Sequence, residues 1–192
     1  MQLSPRIYHN FVRQKWFKKI YIENMVRKHF DLKDKKVLDF GAGTGANCSL
    51  SEPDYYYGID PDERRVVYAR RLYPEYRFDV FSGNKIPADN NSFDVILIIA
   101  VLHHIPPDII PAYVKEFKRI LKQDGKIVAI EPCLFDNCFV SNWFMKKYDK
   151  GEYIQKEADY LNYFTAENFQ CKVLKKFKKC FLYNELYFTA SH

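Results

Sequence analysis

The chain of 192 residues has few cysteines and glycines and no long apolar run. Its five cysteines are odd in number and form no Cys-x-x-Cys pair, which argues against a disulfide framework and a zinc site. The longest apolar run, Val95 to Leu102, is too short to cross a bilayer and is typical of a strand buried on both faces. The first residues show no signal-peptide pattern, so we expect a cytoplasmic protein without a membrane span.

Positive charge is in excess, with a net value of +6. A basic surface can indicate nucleic-acid binding. Much of the excess, however, lies in lysine-rich stretches such as "KVLKKFKKC" near the C-terminus. A solvated strand face explains such a stretch at least as well, so nucleic acid stays open as a partner but is not favoured.

Short apolar segments alternate with amphipathic ones along the chain. The predicted strands are "KKVLDF", "YYYGID", "YRFDVF", "SFDVILIIAVL" and "KIVAIEP". The predicted helices cover residues 5–30, the stretch after the glycine run, "PDERRVVYARRLY" with Pro61 at its first position, and a segment ending at Gly125. A less regular stretch then reaches Phe169, and "CKVLKKFKKC" with "NELYFTA" predicts a closing antiparallel pair. This alternation predicts an α/β protein with a mostly parallel sheet.

In a parallel α/β sheet the ligand binds beyond the carboxyl ends of the strands. Residues at or just after the predicted strand ends are therefore the informative ones. They are Asp39, Asp60, Ser82, Ala100 and Glu131.

The stretch "VLDFGAGTGA" places Asp39 just before a glycine run. The run matches the dinucleotide pattern G-x-G-x-x-A, but no Gly-Lys-Ser/Thr follows, so it is not a P-loop. A carboxylate at this place would repel a pyrophosphate, which disfavours a nicotinamide cofactor, and would attract a cationic group. S-adenosylmethionine carries an ammonium and a sulfonium but no phosphate. Asp60, at the end of the second strand, is suited to accept hydrogen bonds from ribose hydroxyls.

With these features the chain resembles the class I S-adenosylmethionine-dependent methyltransferases of the small stand-alone bacterial type. The segments that carry the resemblance are "VLDFGAGTGA", "YYGIDPDERRVVYAR", "IPADNNSFDVILIIAVLHHI" and "LKQDGKIVAIEP". The resemblance implies a Rossmann-like fold with a mostly parallel seven-stranded sheet, a C-terminal antiparallel strand pair and helices on both faces. It also implies one domain over 1–192, with a helical lid (1–33), a cofactor-binding core (36–132) and an acceptor-side segment with the closing hairpin (133–192).

The resemblance also assigns a cofactor site. Asp39 would lie beside the methionine end, the glycine loop beneath it, and Asp60 against the ribose. Ser82 stands where the family often has an adenine-binding aspartate, so Gly83 and Asn84 are expected to substitute for that contact. The full set is Tyr8, Asp39, Gly41, Ala42, Gly43, Gly45, Asp60, Pro61, Ser82, Gly83, Asn84 and Ala100.

On the acceptor side, His103 and His104 follow the fourth strand and Glu131 ends the fifth. An imidazole there suits a general base, and we expect His104 rather than His103 in that role, with Glu131 orienting an imidazole. The alternative is that a histidine packs against or caps the following helix. A pattern Asp-x-Gly-x-Tyr-Ile, at Asp149 to Ile154, resembles a stretch of the small bacterial enzymes and is expected either over the acceptor pocket or as a structural connection.

We therefore expect O-methylation of a small hydroxylated metabolite, possibly a sugar or glycoside precursor. A nucleic-acid methyltransferase, with tRNA as its substrate, and a non-catalytic cofactor-binding regulator remain the alternatives. No cluster of metal-ligating residues is evident, so no metal is expected. The sequence after the fourth strand is "AVLHHI" rather than Asn/Asp-Pro-Pro-Tyr/Phe, which argues against methylation of an exocyclic amine of adenine or of glutamine.

Overall fold

The structure, a computed structural model, describes residues 22–149, 151–179 and 182–192. The chain forms two compact units, of which the first ends at Gly83 and the second covers Asn84–His192. Tyr8 and most of the predicted helical lid lie outside the described residues.

The first unit contains a parallel three-stranded arrangement. Its elements are α1 (Asn24–His29), β1 (Val37–Phe40), β2 (Tyr56–Asp60), α2 (Glu63–Leu72) and β3 (Arg77–Val80). The strand order is β3-β2-β1, and both pairings are parallel. All residues of β1 and β2 are buried. Burial on both faces explains why most of their side chains are apolar or aromatic.

An aromatic cluster lies behind the glycine run in this unit. The rings of Tyr56 and Phe78 lie 5.4 Å apart, edge to face, and Tyr76 meets Tyr56 at the same distance in a T-shaped pair. Edge-to-face pairs of this kind add about 0.5–1.5 kcal/mol beyond the burial of their surface. Ala42 and Val66 also belong to this cluster, so the glycine loop, which contains Ala42, packs directly onto the core.

Two predictions for this unit were wrong in detail. The glycine run is followed by two 3-10 turns, Cys48–Leu50 and Pro53–Tyr55, instead of an α-helix. Three left-handed glycines and Pro53 in so short a connection prevent a regular run of helical hydrogen bonds. Pro61 also precedes α2, because the side chain of Asp62 accepts hydrogen bonds from the backbone N–H groups of Arg64 and Arg65 and caps the helix.

The second unit is a mixed sheet with three α-helices. Its elements are β4 (Phe93–Ile99), a 3-10 helix (Leu102–His104), α3 (Ile110–Ile120), β5 (Leu121–Leu134), α4 (Phe139–Tyr148), β6 (Gln155–Lys156), α5 (Glu157–Thr165), β7 (Gln170–Lys179) and β8 (Tyr183–Ser191). The strand order is β4-β5-β8-β7, and β6 pairs with β5. β4 is parallel to β5, whereas β8 is antiparallel to both β5 and β7, which confirms the predicted closing pair.

The boundaries of α3 and the stretch before the closing pair differ from the prediction. α3 ends at Ile120 rather than at Gly125, because Leu121 already pairs with Phe93 of β4 and is extended. The stretch that we predicted as less regular contains α4 and α5. None of the helices in the described residues is long and apolar enough to cross a membrane.

The lysine-rich stretch is β7, which stands last in the strand order of its unit. Lys176 forms an ion pair with Glu157, and Lys179 lies 3.5 Å from Glu185. Lysines on an outer strand also hinder pairing with another chain. The position of β7 as the last strand thus accounts for the positive charge of the lysine-rich stretch.

We predict that Gly58→Ala destabilises the protein. A Cβ at Gly58 would lie 2.6 Å from Cδ1 of Phe78 and 2.9 Å from Cβ of Ala42. Relieving that overlap should cost about 1–3 kcal/mol in the free energy of unfolding, measured by denaturant titration. Gly83→Ala is the control, since its nearest neighbour would be at 3.5 Å. Equal stability of the two variants would contradict this packing.

Candidate functional site

The glycine loop after β1 is shaped by three left-handed backbones. Gly41, Gly43 and Gly45 have φ values of 76°, 56° and 75°, which side chains other than glycine rarely adopt. A Cβ at Gly45 would lie 2.8 Å from the ring of Phe78, so packing below the loop also requires glycine there. At Gly43, in contrast, the nearest atom would be an oxygen of Asp60 at 3.8 Å. As far as residues 22–149, 151–179 and 182–192 define it, the loop leaves room for a ligand at Gly43.

Asp60 fixes this loop from the end of β2. Its Oδ2 accepts a hydrogen bond from the N–H of Gly43 at 2.8 Å, and its Oδ1 accepts one from the N–H of Asp62 at 2.9 Å. Each carboxylate oxygen retains capacity for a further donor. The side chain is 5% exposed, and burial raises its pKa against the opposing effects of these two hydrogen bonds and of Arg65. A buried acceptor beside the open space at Gly43 suits a pair of ligand hydroxyls.

Asp39 is buried beneath the loop, and Tyr56 holds its carboxylate. The hydroxyl of Tyr56 donates to Oδ2 of Asp39 at 2.7 Å. Tyr56 is registered with Val37, two residues before Asp39, so both side chains lie on the same face of the parallel pair. This contact gives the carboxylate a fixed place next to the glycine run.

The other predicted cofactor residues lie in two groups. In the first unit, Ala42 is buried in the loop, whereas Pro61, Ser82 and Gly83 are exposed. In the second unit, Asn84 is exposed and Ala100 is half-buried. Ala100 has a φ of 57°, and its N–H donates to the carbonyl of Ile130 at 2.8 Å. That strained residue turns the chain sharply at the end of β4.

Glu131 lies within β5, which continues to Leu134 instead of ending at Glu131 as predicted, and its side chain makes three hydrogen bonds to the turn after β4. Its Oε1 accepts from the backbone N–H groups of Val101 and Leu102 at 2.8 and 2.9 Å. Its Oε2 lies 2.8 Å from Nδ1 of His103. The side chain is fully buried, so the carboxylate acts on the polypeptide around it rather than on solvent.

His103 is enclosed between carboxylates. Its ring is 3% exposed, with Nδ1 toward Glu131 and Nε2 3.7 Å from Oδ1 of Asp149. Burial alone would lower the pKa of His103, but its hydrogen bond to the Glu131 carboxylate and the charges of Glu131, Asp149 and Glu185 raise it above the ordinary value. The geometry therefore favours the imidazolium form, with an N–H group directed to each carboxylate.

His104 differs from its neighbour in exposure. Its side chain is exposed at the end of the 3-10 helix, and its ring centroid lies 4.0 Å from that of His103. The Glu131 carboxylate thus contacts His103, whereas His104 is the imidazole that solvent and small molecules can reach.

Sequence reasoning missed three parts of this arrangement. Tyr56 as a partner of Asp39 was detectable from the same-face spacing once the β1-β2 register is fixed. The contact of Asp149 with His103, and the burial of Glu185 on β8, depend on how distant segments pack. No local pattern predicts such contacts.

A family model described as "Methyltransferase domain" matches residues 38–129. This range is just under half of the chain and contains the glycine loop, Asp60 and both histidines. It agrees closely with the range 36–132 over which the sequence resembles the class I enzymes.

Curated relatives are methyltransferases of different kinds. An uncharacterized methyltransferase of Bacillus subtilis is 30% identical over 105 residues, covering 51% of this chain and 41% of that protein. O-methyltransferase 3 of Dictyostelium discoideum is 29% identical over 147 residues, covering 68% and 33%. A tRNA (carboxymethyluridine(34)-5-O)-methyltransferase of Saccharomyces cerevisiae is 33% identical over 67 residues, covering 35% and 24%. The chain thus spans less than half the length of these relatives.

Solved structures share the fold over nearly the whole chain. A Pyrococcus horikoshii protein is 17% identical with a TM-score of 0.75 and 100% coverage of both chains. A SAM-dependent methyltransferase of Aquifex aeolicus is 20% identical with a TM-score of 0.67, covering 98% and 99%. These likenesses confirm the predicted fold class, a mixed α/β fold with helices around a mostly parallel sheet and antiparallel C-terminal strands.

The family match and the solved SAM-dependent methyltransferases, one with S-adenosylhomocysteine bound, support the resemblance and S-adenosylmethionine as the cofactor. The residues present fit this group: Asp60 is a buried acceptor at the end of β2, and Gly43 leaves open space beside it. The acidic residue Asp39 next to the loop suits a ligand with cationic groups.

We predict that Tyr56→Phe destabilises the folded protein, because the buried carboxylate of Asp39 loses a hydrogen bond at 2.7 Å. The expected loss is about 1–3 kcal/mol in the free energy of unfolding. Tyr57→Phe is the control, since Tyr57 is registered with Leu38 and its side chain lies on the opposite face of the strands from Asp39. A Tyr56→Phe variant as stable as the parent would contradict the contact.

Proposed function

We propose that this chain, whose residues 38–129 form a class I S-adenosylmethionine-dependent methyltransferase domain, methylates a hydroxyl group of a small metabolite, a sugar or glycoside precursor. The observation that carries the proposal is the exposed imidazole of His104 at the end of β4, beside a buried His103–Glu131 pair. A hydroxyl acceptor needs a base, since a neutral alcohol is a poor nucleophile, and an exposed imidazole suits that task.

In this proposal the first unit binds the cofactor. Asp60 accepts the ribose hydroxyls, the glycine loop allows close approach of the backbone, and Asp39 supplies negative charge for the methionine end. Bound S-adenosylmethionine supplies an electrophilic methyl group on its sulfonium. The contribution of the protein is alignment of the two reacting atoms and removal of water between them.

In the second unit, His104 would take the proton of the acceptor hydroxyl as its oxygen bonds to the methyl carbon. The bond between that carbon and sulfur would break in the same step, with S-adenosylhomocysteine as the leaving group. Glu131 fixes the turn that carries both histidines through the N–H groups of Val101 and Leu102. His103 is nearly inaccessible, which supports a role in holding the site rather than in touching the acceptor.

Nucleic acid remains the competing acceptor, since one relative is a tRNA methyltransferase. The charge of the lysine-rich strand speaks against it, because Lys176 and Lys179 are paired with carboxylates of this unit. The discriminating experiment supplies methyl-labelled S-adenosylmethionine to the protein with either a panel of sugars and glycosides or bulk tRNA at physiological salt. Label in a small product supports the proposal, and saturable labelling of tRNA overturns it.

We predict that Asp60→Asn weakens the binding of S-adenosylhomocysteine by about 1–3 kcal/mol, because a charged acceptor of two hydroxyls is lost. Isothermal titration calorimetry measures this change. Asp79→Asn is the matched control, since that carboxylate lies on β3 and pairs with Arg70 of α2 and with Arg77. Tight NAD binding without S-adenosylhomocysteine binding would refute the cofactor site.

We predict that His104→Gln lowers turnover on the identified hydroxyl acceptor roughly a hundredfold while the affinity for S-adenosylhomocysteine is retained. Turnover of the parent should rise with pH across the range in which histidines ordinarily titrate, because the neutral imidazole is the base. His29→Gln, a histidine bonded to the carbonyl of Met25, is the control. Full turnover by His104→Gln would mean that proximity alone drives the reaction.

A further inference from the structure

The Asp-x-Gly-x-Tyr-Ile pattern and the His103-His104 pair meet in one cluster. Three residues of the pattern contact His103. Oδ1 of Asp149 lies 3.7 Å from Nε2, and the N–H of Tyr153 donates to the carbonyl of His103 at 3.0 Å. A Cβ at Gly151 would lie 1.9 Å from Cδ2 of the ring, so the glycine backbone packs directly against the imidazole. Contacts with His103 thus account for the Asp, Gly and Tyr positions of the Asp-x-Gly-x-Tyr-Ile pattern.

The geometry points to His103 as a positioning residue that, as an imidazolium, tethers Asp149 and the stretch 151–153 to the end of β4. The tether joins two carboxylates from separate elements, Glu131 on β5 and Asp149 after α4. A neutral imidazole has one N–H and satisfies one of them, whereas the cation directs an N–H to both. The inference rests on the proposed function only in treating this segment as part of the acceptor side.

Each carboxylate also organises its own backbone. Glu131 holds the N–H groups of Val101 and Leu102, and Oδ1 of Asp149 accepts the N–H of Gly151 at 2.6 Å. Just beyond the segment, Gln155 pairs with Cys133 of β5 as the first residue of β6. The segment is therefore fixed by strand pairing on its C-terminal side and by His103 over its first residues. Loss of the charge on His103 should loosen those first residues.

The tether depends on pH in a definite direction. The groups that face His103 are Glu131 from β5, Asp149 from the end of α4, Glu185 from β8 and the neighbouring His104. Because the pKa of His103 is raised on folding, its contribution is complete below the ordinary histidine pKa of about 6.5 and is lost as pH rises through the native value. The segment should loosen on the alkaline side.

We predict that two pH titrations, one of the His103 ring and one of hydrogen exchange in residues 151–155, have the same midpoint. The ring ¹⁵N shifts of His103 should show both nitrogens protonated at neutral pH, and the hydrogen-exchange protection factors of residues 151–155 should fall as that ring deprotonates. Asp149→Asn removes one facing charge and should move both midpoints to lower pH together. Asp124→Asn, an exposed carboxylate elsewhere on β5, is the control and should move neither.

His103→Asn tests the tether in a second way. Its amide can still donate to Glu131 but cannot reach Asp149, so protection of residues 151–155 should be low at every pH while circular dichroism stays native. If this variant fails to fold, Gly151→Ala tests the same contact from the segment, and its protection should be low as well. A neutral His103 at pH 7, or protection that is independent of pH and of these substitutions, overturns the tether. Neither readout uses a cofactor or an acceptor, so that result would leave the proposed methyl transfer standing.

Discussion

The second unit depends on the buried carboxylate of Glu131. Burying a charge is costly unless it is fully hydrogen-bonded, and here both oxygens are used. One oxygen holds the backbone that leaves β4, and the other holds His103. Because the backbone after β4 and an imidazole share one carboxylate, its removal would leave several donors unsatisfied at once.

The first unit uses the same physical device at the end of β2. Asp60 accepts a backbone N–H of the glycine loop and another from the residue that caps α2. In both units a buried strand carboxylate, Asp60 or Glu131, organises a loop that has a left-handed backbone, at Gly43 in one and at Ala100 in the other. A strained backbone conformation persists when several surrounding contacts hold it in place. Loops of this kind commonly contain binding or catalytic residues.

Much of this was predictable from the sequence because the signals are local. The apolar runs of β1, β2 and β4, the glycine loop and the closing pair each depend on residues that are near one another in the chain. The end of α3 was not predictable. The segment "LKQDG" is typical of a helix end, but pairing of Leu121 with Phe93 ends the helix earlier. The contacts of His103 could not be predicted either. Asp149 is brought to the ring by the packing of α4, and sequence spacing does not show which of two adjacent histidines is buried.

In the proposed function the two histidines have different tasks. His103 is held between two carboxylates, enclosed and raised in pKa, which makes it a poor general base for an acceptor in solvent. The imidazole of His104 is exposed instead. Placing His104 directly after His103 gives the reachable ring a rigid neighbour 4.0 Å away. The buried Glu131–His103 pair thus holds the backbone that carries the exposed imidazole of His104, and Tyr153 is bonded to the same turn through the carbonyl of His103.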